Sequence, residues 1–159
     1  MQSVYRARIT MRNPVHFMAL GFGSGLIPFM PGTWGSLAAI PLIVGMAMLP
    51  DWAYVALTAF AWLAGNYLCG KTAADMGVHD HGSIVWDEVA GMLITFLFIP
   101  IHWQSLLAGF VLFRVFDILK PWPIGPIDKH IHGGAGIMLD DVVAGIMACG
   151  SLHLISLLS

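Results

Sequence analysis

Charge is scarce in this sequence. Of its 159 residues only 10% are charged, with a net charge of −2, where a soluble domain is usually about 25% charged. Basic residues gather nowhere beyond Arg6, Arg8 and Arg12, so nucleic acid is not expected as a partner. Cysteine is nearly absent. Cys69 and Cys149 lie in or beside apolar segments without metal-ligand spacing, which excludes a disulfide framework and reads as ordinary small membrane residues. The N-terminus is basic, but Pro14 and the Gly/Pro-rich run behind it make a poor signal peptide, so the first apolar segment is expected to be retained.

Hydrocarbon takes the place of charge. Hydrophobic residues make up 58% of the chain, and the mean hydropathy is +0.80. Four uncharged stretches, residues 13–50, 52–70, 89–113 and 142–159, approach or exceed the roughly 20 residues that cross a bilayer as a helix. One soluble core cannot hide four such segments in so short a chain. The expected fold is all-α: a polytopic integral membrane helical bundle of about five spans (four to five), forming a single domain over residues 1–159, with a broken or re-entrant N-terminal segment.

Residues 15–36 carry the breakers Gly21, Gly23, Gly25, Pro28, Pro31, Gly32 and Gly35. Irregular backbone at membrane depth survives only when buried in protein or lining a wet cavity. The run Gly32-Thr33-Trp34-Gly35-Ser36 opens the first expected span, 37–49. It reads equally as an anion cradle of free N–H groups and as a simple turn with a Ser cap. Further spans are expected at 53–69, from Ile84 to about Ile99, at 106–119 and at 142–158. Lys71 to Met76 can extend the second of these, pairing Lys71 with Asp75 at i,i+4. Asp75 and His79 share that spacing if the helix runs on.

The centre of the sequence is His79-Asp80-His81-Gly82-Ser83-Ile84-Val85-Trp86-Asp87-Glu88. It sets two carboxylates at the mouth of an apolar segment, where they need a partner or a task. Ser83 is the expected cap, which puts Asp87 and Glu88 in the first turns of a helix, favoured by its dipole. Asp140-Asp141 repeats the arrangement before the last span. A glycine follows four residues later in each case, Gly91 after Asp87 and Gly145 after Asp141; small residues let helices approach closely, so the two acidic starts can come face to face. Arg114, Asp117 and Lys120 lie three residues apart along one helix face. With the N-terminus in the cytoplasm and five spans, every basic residue and every acidic residue except Asp51 falls at or near the cytoplasmic side, as the positive-inside rule favours for Lys and Arg.

Clustered carboxylates without a Cys/His set favour a hard cation, Mg²⁺ or Mn²⁺. Arginine and lysine beside them can neutralise phosphate oxygens. No Walker loop, GxSxG elbow or Cys-based phosphatase signature is present. The residues alone point to metal-assisted phosphoryl chemistry on a membrane lipid phosphate. A small transporter would need polar groups near the bilayer midplane, and a structural membrane subunit would leave the repeated acidic pairs unexplained.

The motifs Gly21-Phe22-Gly23-Ser24-Gly25-Leu26, Pro31-Gly32-Thr33, Gly35-Ser36, Asp75 through Glu88, Leu119-Lys120-Pro121-Trp122-Pro123-Ile124 and His132-Gly133-Gly134 through Gly145 resemble those of the phosphatidylglycerophosphatase A family, in order and over nearly the whole chain. The resemblance implies a Mg²⁺-dependent enzyme of the bacterial inner membrane, acting at the cytoplasmic face. It would convert phosphatidylglycerophosphate to phosphatidylglycerol and inorganic phosphate, a step toward cardiolipin. On that basis Asp87, Glu88 and Asp141 are expected to hold Mg²⁺, with Asp117 or Asp140 completing the shell or acting as base. Arg114, Lys120 and Lys71 would bind phosphate, with Thr33 and Ser36 of the glycine-rich turn as a second contact. His79 is the expected proton donor to the leaving oxygen, since its pKa range suits the task. The sequence does not define an oligomeric state.

Overall fold

The structure, a computed structural model, describes residues 2–158. It is all-helical, with no strand among the described residues. The helices run α1 (Gln2–Arg6), α2 (Pro14–Ala19), α3 (Pro31–Met46), α4 (Asp51–Met76), α5 (Trp86–Thr95), α6 (Trp103–Leu119), α7 (Ile124–His130) and α8 (Gly133–Leu158), with a 3₁₀ turn at Ser24–Leu26.

The short helix α5 is the axis of the bundle. Every one of its ten residues except Glu88 is buried, against α3, α4, α6 and α8. The tightest crossing is with α8, and glycine makes it possible. A Cβ on Gly145 would stand 2.4 Å from the Gly91 carbonyl oxygen, and one on Gly91 would stand 2.8 Å from the Asp141 carbonyl oxygen. The expectation that these two glycines bring the acidic segments together therefore holds.

The breaker-rich segment before α3 is irregular, as its composition demands. Gly21, Phe22 and Gly23 all take positive φ. Of two N-terminal arginines, Arg6 ties this segment down and Arg8 reaches the end of α4. Arg6 donates from Nη1 to the Leu26 carbonyl (3.1 Å) and from Nη2 to Ser83 Oγ (3.0 Å), and Arg8 donates to the Met76 carbonyl (3.4 Å). His16 is buried beneath them. Its Nδ1 accepts from the Thr10 N–H, so its Nε2 faces Asp75 Oδ2 at 3.0 Å as donor.

Several element boundaries differ from expectation, each for a physical reason. Helix α3 begins at Pro31, so Gly32 to Ser36 are its first turns and not a preceding loop. Proline is well placed there, because its missing N–H costs nothing at a helix start. Helix α4 does run on through Lys71 and Asp75, which pair, but ends at Gly77 in the left-handed region; the expected Asp75–His79 spacing is thereby broken. Ser83 does not cap α5. The helix starts at Trp86 without a side-chain cap, and the Ser83 hydroxyl accepts from Arg6. Helix α6 starts at Trp103, capped by His102, which accepts from the Ser105 N–H.

The stretch between the expected spans 106–119 and 142–158 contains α7 and the first two turns of α8. Gly133 takes φ 79 at the helix start, and Gly134 lies where α8 packs against α4: a Cβ on it would stand 2.0 Å from the Asn66 carbonyl oxygen. Asp140 and Asp141 therefore lie inside α8 and not at its start.

The third expected span is helical for only ten residues, about 15 Å. The chain continues as irregular backbone, with Phe98 at φ 60. The carbonyls left over at this end find side-chain donors. Tyr54 Oη donates to the Leu93 carbonyl (2.9 Å), His153 Nε2 lies 3.0 Å from the Leu97 carbonyl, and Ser105 Oγ donates to the Pro100 carbonyl (2.8 Å). Cavities of about 300 and 520 Å³ flank residues 96–102. Among the described residues α8 alone is long and apolar enough to cross a membrane by length and composition; α3 is apolar but shorter.

Candidate metal centre

Three helices deliver carboxylates to one place. Asp87 and Glu88 occupy the first turn of α5, where the helix dipole favours negative charge. Asp140 and Asp141 come from the third turn of α8, and Asp117 from the last turns of α6. Asp87, Glu88 and Asp141 each place an oxygen within 4.8 Å of the others, and so do Asp117, Asp140 and Asp141. Asp141 belongs to both groups.

Two cations border the cluster. Arg114 Nη1 pairs with Asp117 Oδ2 across one turn of α6. Lys120 caps α6 in the left-handed conformation, φ 46, and its Nζ reaches Asp140 Oδ2 at 2.9 Å and Asp128 Oδ1 at 2.8 Å. Along α6 the i,i+3 pair forms at Arg114–Asp117, while Lys120 turns toward α7 and α8.

The hydrogen bonding is incomplete. Asp87 Oδ1, Glu88 Oε2, Asp140 Oδ1 and Arg114 Nε are buried without a partner. Buried carboxylate oxygens in that state are costly, and a cation placed among them would relieve that cost. Donors made only of carboxylate oxygen suit a hard divalent ion. The start of α3 closes over the site. A Cβ on Gly32 would lie 2.4 Å from Glu88 Oε1 and 3.1 Å from Arg114 Nη1, so only glycine fits this close to them.

The remaining expected site residues are placed as follows. Ser36 is buried and its hydroxyl donates to the Gly32 carbonyl. Thr33 lies in the first turn of α3, where its N–H donates to the Met30 carbonyl. Lys71 is half exposed and paired with Asp75. His79 accepts on Nε2 from the Gly133 N–H (3.1 Å) and packs edge-on to His132, at the start of α8 two turns before the carboxylates. In the same loop burial raises the pKa of Asp80, opposed by Lys120 and His79. Burial and then Arg6 lower that of His81. The His16–Asp75 contact was not foreseen; a histidine inside an apolar run was its one signal.

An all-helical bundle buries carboxylates from three helices beside an arginine and a lysine, which sets the donors a cation needs next to the charges an anion needs. The comparisons with known proteins make this specific. The family profile of phosphatidylglycerophosphatase A matches residues 17–156, and the chain belongs to that family. It is 53% identical to phosphatidylglycerophosphatase A of Escherichia coli K12 over 155 residues, covering 97% of this chain and 90% of the relative. It is 54% identical to the protein of the same name from Haemophilus influenzae over 143 residues, covering 89% and 88%. A protein of Bacteroides thetaiotaomicron titled "Putative phosphatidylinositol-3-phosphatase" is 38% identical over 134 residues, covering 79% and 83%. No solved structure matches the chain.

Proposed function

We propose that this chain hydrolyses phosphatidylglycerophosphate to phosphatidylglycerol and inorganic phosphate, with Mg²⁺ bound at the cytoplasmic face of a bacterial inner membrane. The observation that carries the reading is the cluster of buried, unpartnered carboxylate oxygens beside Arg114, in a chain that matches its family almost end to end.

Membrane embedding is supported by the apolar side chains turned outward along the long helices. Phe60, Leu63 and Tyr67 of α4, Leu107, Val111 and Ile118 of α6, and Leu154 and Ile155 of α8 are all exposed. Patches of this extent mark a surface that meets lipid or protein. In this reading the single domain spans 1–159 and the chain crosses five times. The third crossing is completed by irregular backbone beside cavities, the one setting in which a membrane tolerates it.

Asp87, Glu88 and Asp141 would hold Mg²⁺, with Asp117 or Asp140 as a further ligand or as base. The bound ion polarises the phosphoryl group and makes water more acidic. Arg114 and Lys120 would bind the phosphate. Both are held in place by Asp117 and Asp140, and Arg114 keeps its Nε free for a further acceptor. Gly32 lets the start of α3 approach Glu88 and Arg114 closely. His79, whose Nε2 accepts from Gly133, would carry its proton on Nδ1 and offer it to the leaving glycerol oxygen.

The test is phosphate release from phosphatidylglycerophosphate in mixed micelles, after chelation and after Mg²⁺ is restored, for the parent, Asp87→Asn and Asp141→Asn. Release that needs Mg²⁺ and disappears in both folded variants is expected. Absence of release from the parent would overturn the assignment. Phosphatidylinositol 3-phosphate belongs in the same assay, because the Bacteroides relative's title names that head group.

A further inference from the structure

We infer that the centre takes two divalent cations, one at Asp87, Glu88 and Asp141 and a second at Asp117, Asp140 and Asp141, with Asp141 as the carboxylate they share. This rests on the proposed function only in treating the cluster as a cation site.

Three observations lead there. The two groups of mutually close carboxylate oxygens overlap at Asp141 alone, so the arrangement is a pair of sites joined at a corner and not one crowded shell. Each group also contains its own unmet oxygen. In the first, Asp87 is 9% exposed and its Oδ1 has no partner; in the second, Asp140 is 8% exposed and its Oδ1 has none either. The second group is braced from outside, since Lys120 fixes Asp140 Oδ2 and Arg114 fixes Asp117 Oδ2. Each brace occupies one oxygen of its carboxylate and leaves the other outside the pair.

Charge gives the same count. Five carboxylates in the two groups face two basic side chains; Asp128, the other partner of Lys120, lies outside both groups with its side chain 44% exposed to solvent, which screens its charge. Three negative charges remain in a buried place, where uncompensated charge is strongly disfavoured. One divalent ion leaves the site still negative, and a phosphate monoester would be repelled. Two make it positive by one unit, the sign that attracts such an ester. Magnesium is usually bound by only one or two carboxylates, with waters completing its shell. Five carboxylates are too many for one ion; divided between two, they come to two each plus the shared Asp141.

The experiment uses Mn²⁺ alone as probe, with the full chain in detergent micelles after chelation. Bound Mn²⁺ per chain is counted at saturation, and its spin state is followed by electron paramagnetic resonance. The parent is expected to bind two ions whose spins couple through Asp141. Asp140→Asn should retain one ion and lose the coupling, and Asp117→Asn should behave alike. Asp141→Asn should weaken both sites. One ion per chain in the parent, two uncoupled ions, or none would each overturn the inference; should a variant unfold, the parent count and coupling still decide. One ion with phosphate release would end the two-ion centre and leave the proposed function standing. Two coupled ions without release from any lipid phosphate would do the reverse.

Discussion

Replacing Gly145 by alanine should damage the site from a distance. A Cβ at Gly145 would stand 2.4 Å from the Gly91 carbonyl oxygen and 3.2 Å from Ile94 Cβ. The oxygen belongs to helix backbone and cannot swing aside. Ordinary contact requires α5 and α8 to separate by about 1 Å, given carbon contact distances of about 3.5–4 Å. Overpacking of this kind costs about 1–3 kcal/mol, and the helix gains about 1 kcal/mol from Gly→Ala, so the net loss is about 0–2 kcal/mol. Activity should suffer more than stability. Asp141 lies one turn before Gly145 and Asp87 one turn before Gly91, so the wedge spreads two of the carboxylates directly. A displacement of about 1 Å in a reacting constellation can cost about 100-fold in rate. Gly150→Ala, on the same helix with nothing within 4 Å of the added Cβ, is the control. It should keep full activity and gain up to about 1 kcal/mol. Melting temperature and phosphate release in one detergent measure both variants. If Gly145→Ala matches Gly150→Ala in both, the close crossing does not set the carboxylate geometry.

Tyr54→Phe removes the donor to the Leu93 carbonyl near the end of α5 and should lower stability by about 1–2 kcal/mol, read as a lower melting temperature with phosphate release little changed; an unchanged melting temperature would mean that water serves the carbonyl equally well. Because the folded pKa of His81 is depressed below 6.5, the unfolded chain binds protons first as pH falls, so stability drops from pH 6.5 downward through the folded value. His81→Gln should flatten that limb of a melting-temperature profile taken between pH 5 and 7, and an unaltered slope would assign it to another group.

Local chemistry made part of this fold legible. The acidic pair at the start of α5, the Lys71–Asp75 and Arg114–Asp117 spacings and the matched glycines Gly91 and Gly145 all depend on residues within one or two turns, which helix geometry fixes in advance. What stayed hidden depends on contacts across the chain. The glycine run before Asp140 looks like a loop in isolation, yet it is helical and packs against α4 at Asn66. The stretch 89–101 is continuously apolar, yet its helix ends at Thr95, where Tyr54, His153 and Ser105 supply donors to the freed carbonyls. Ser83 has the credentials of a cap, and its hydroxyl is taken by Arg6 from the far end of the sequence. The metal-competent arrangement is intermediate. Its members were named from the sequence, but the division into two groups meeting at Asp141 exists only in three dimensions.

The arginines near the N-terminus do more than contribute charge. Arg6 is a fork with one tine in the breaker-rich segment at Leu26 and the other in the loop that leads into Asp87, at Ser83. Lysine would preserve the charge but could not hold both acceptors in a fixed plane. The first few residues therefore work as a fastener for the front of the bundle, and the identity of the basic residue matters there as much as its sign. An amino-terminal fusion or a trimmed start would act on the approach to α5, although neither comes near the carboxylates in sequence.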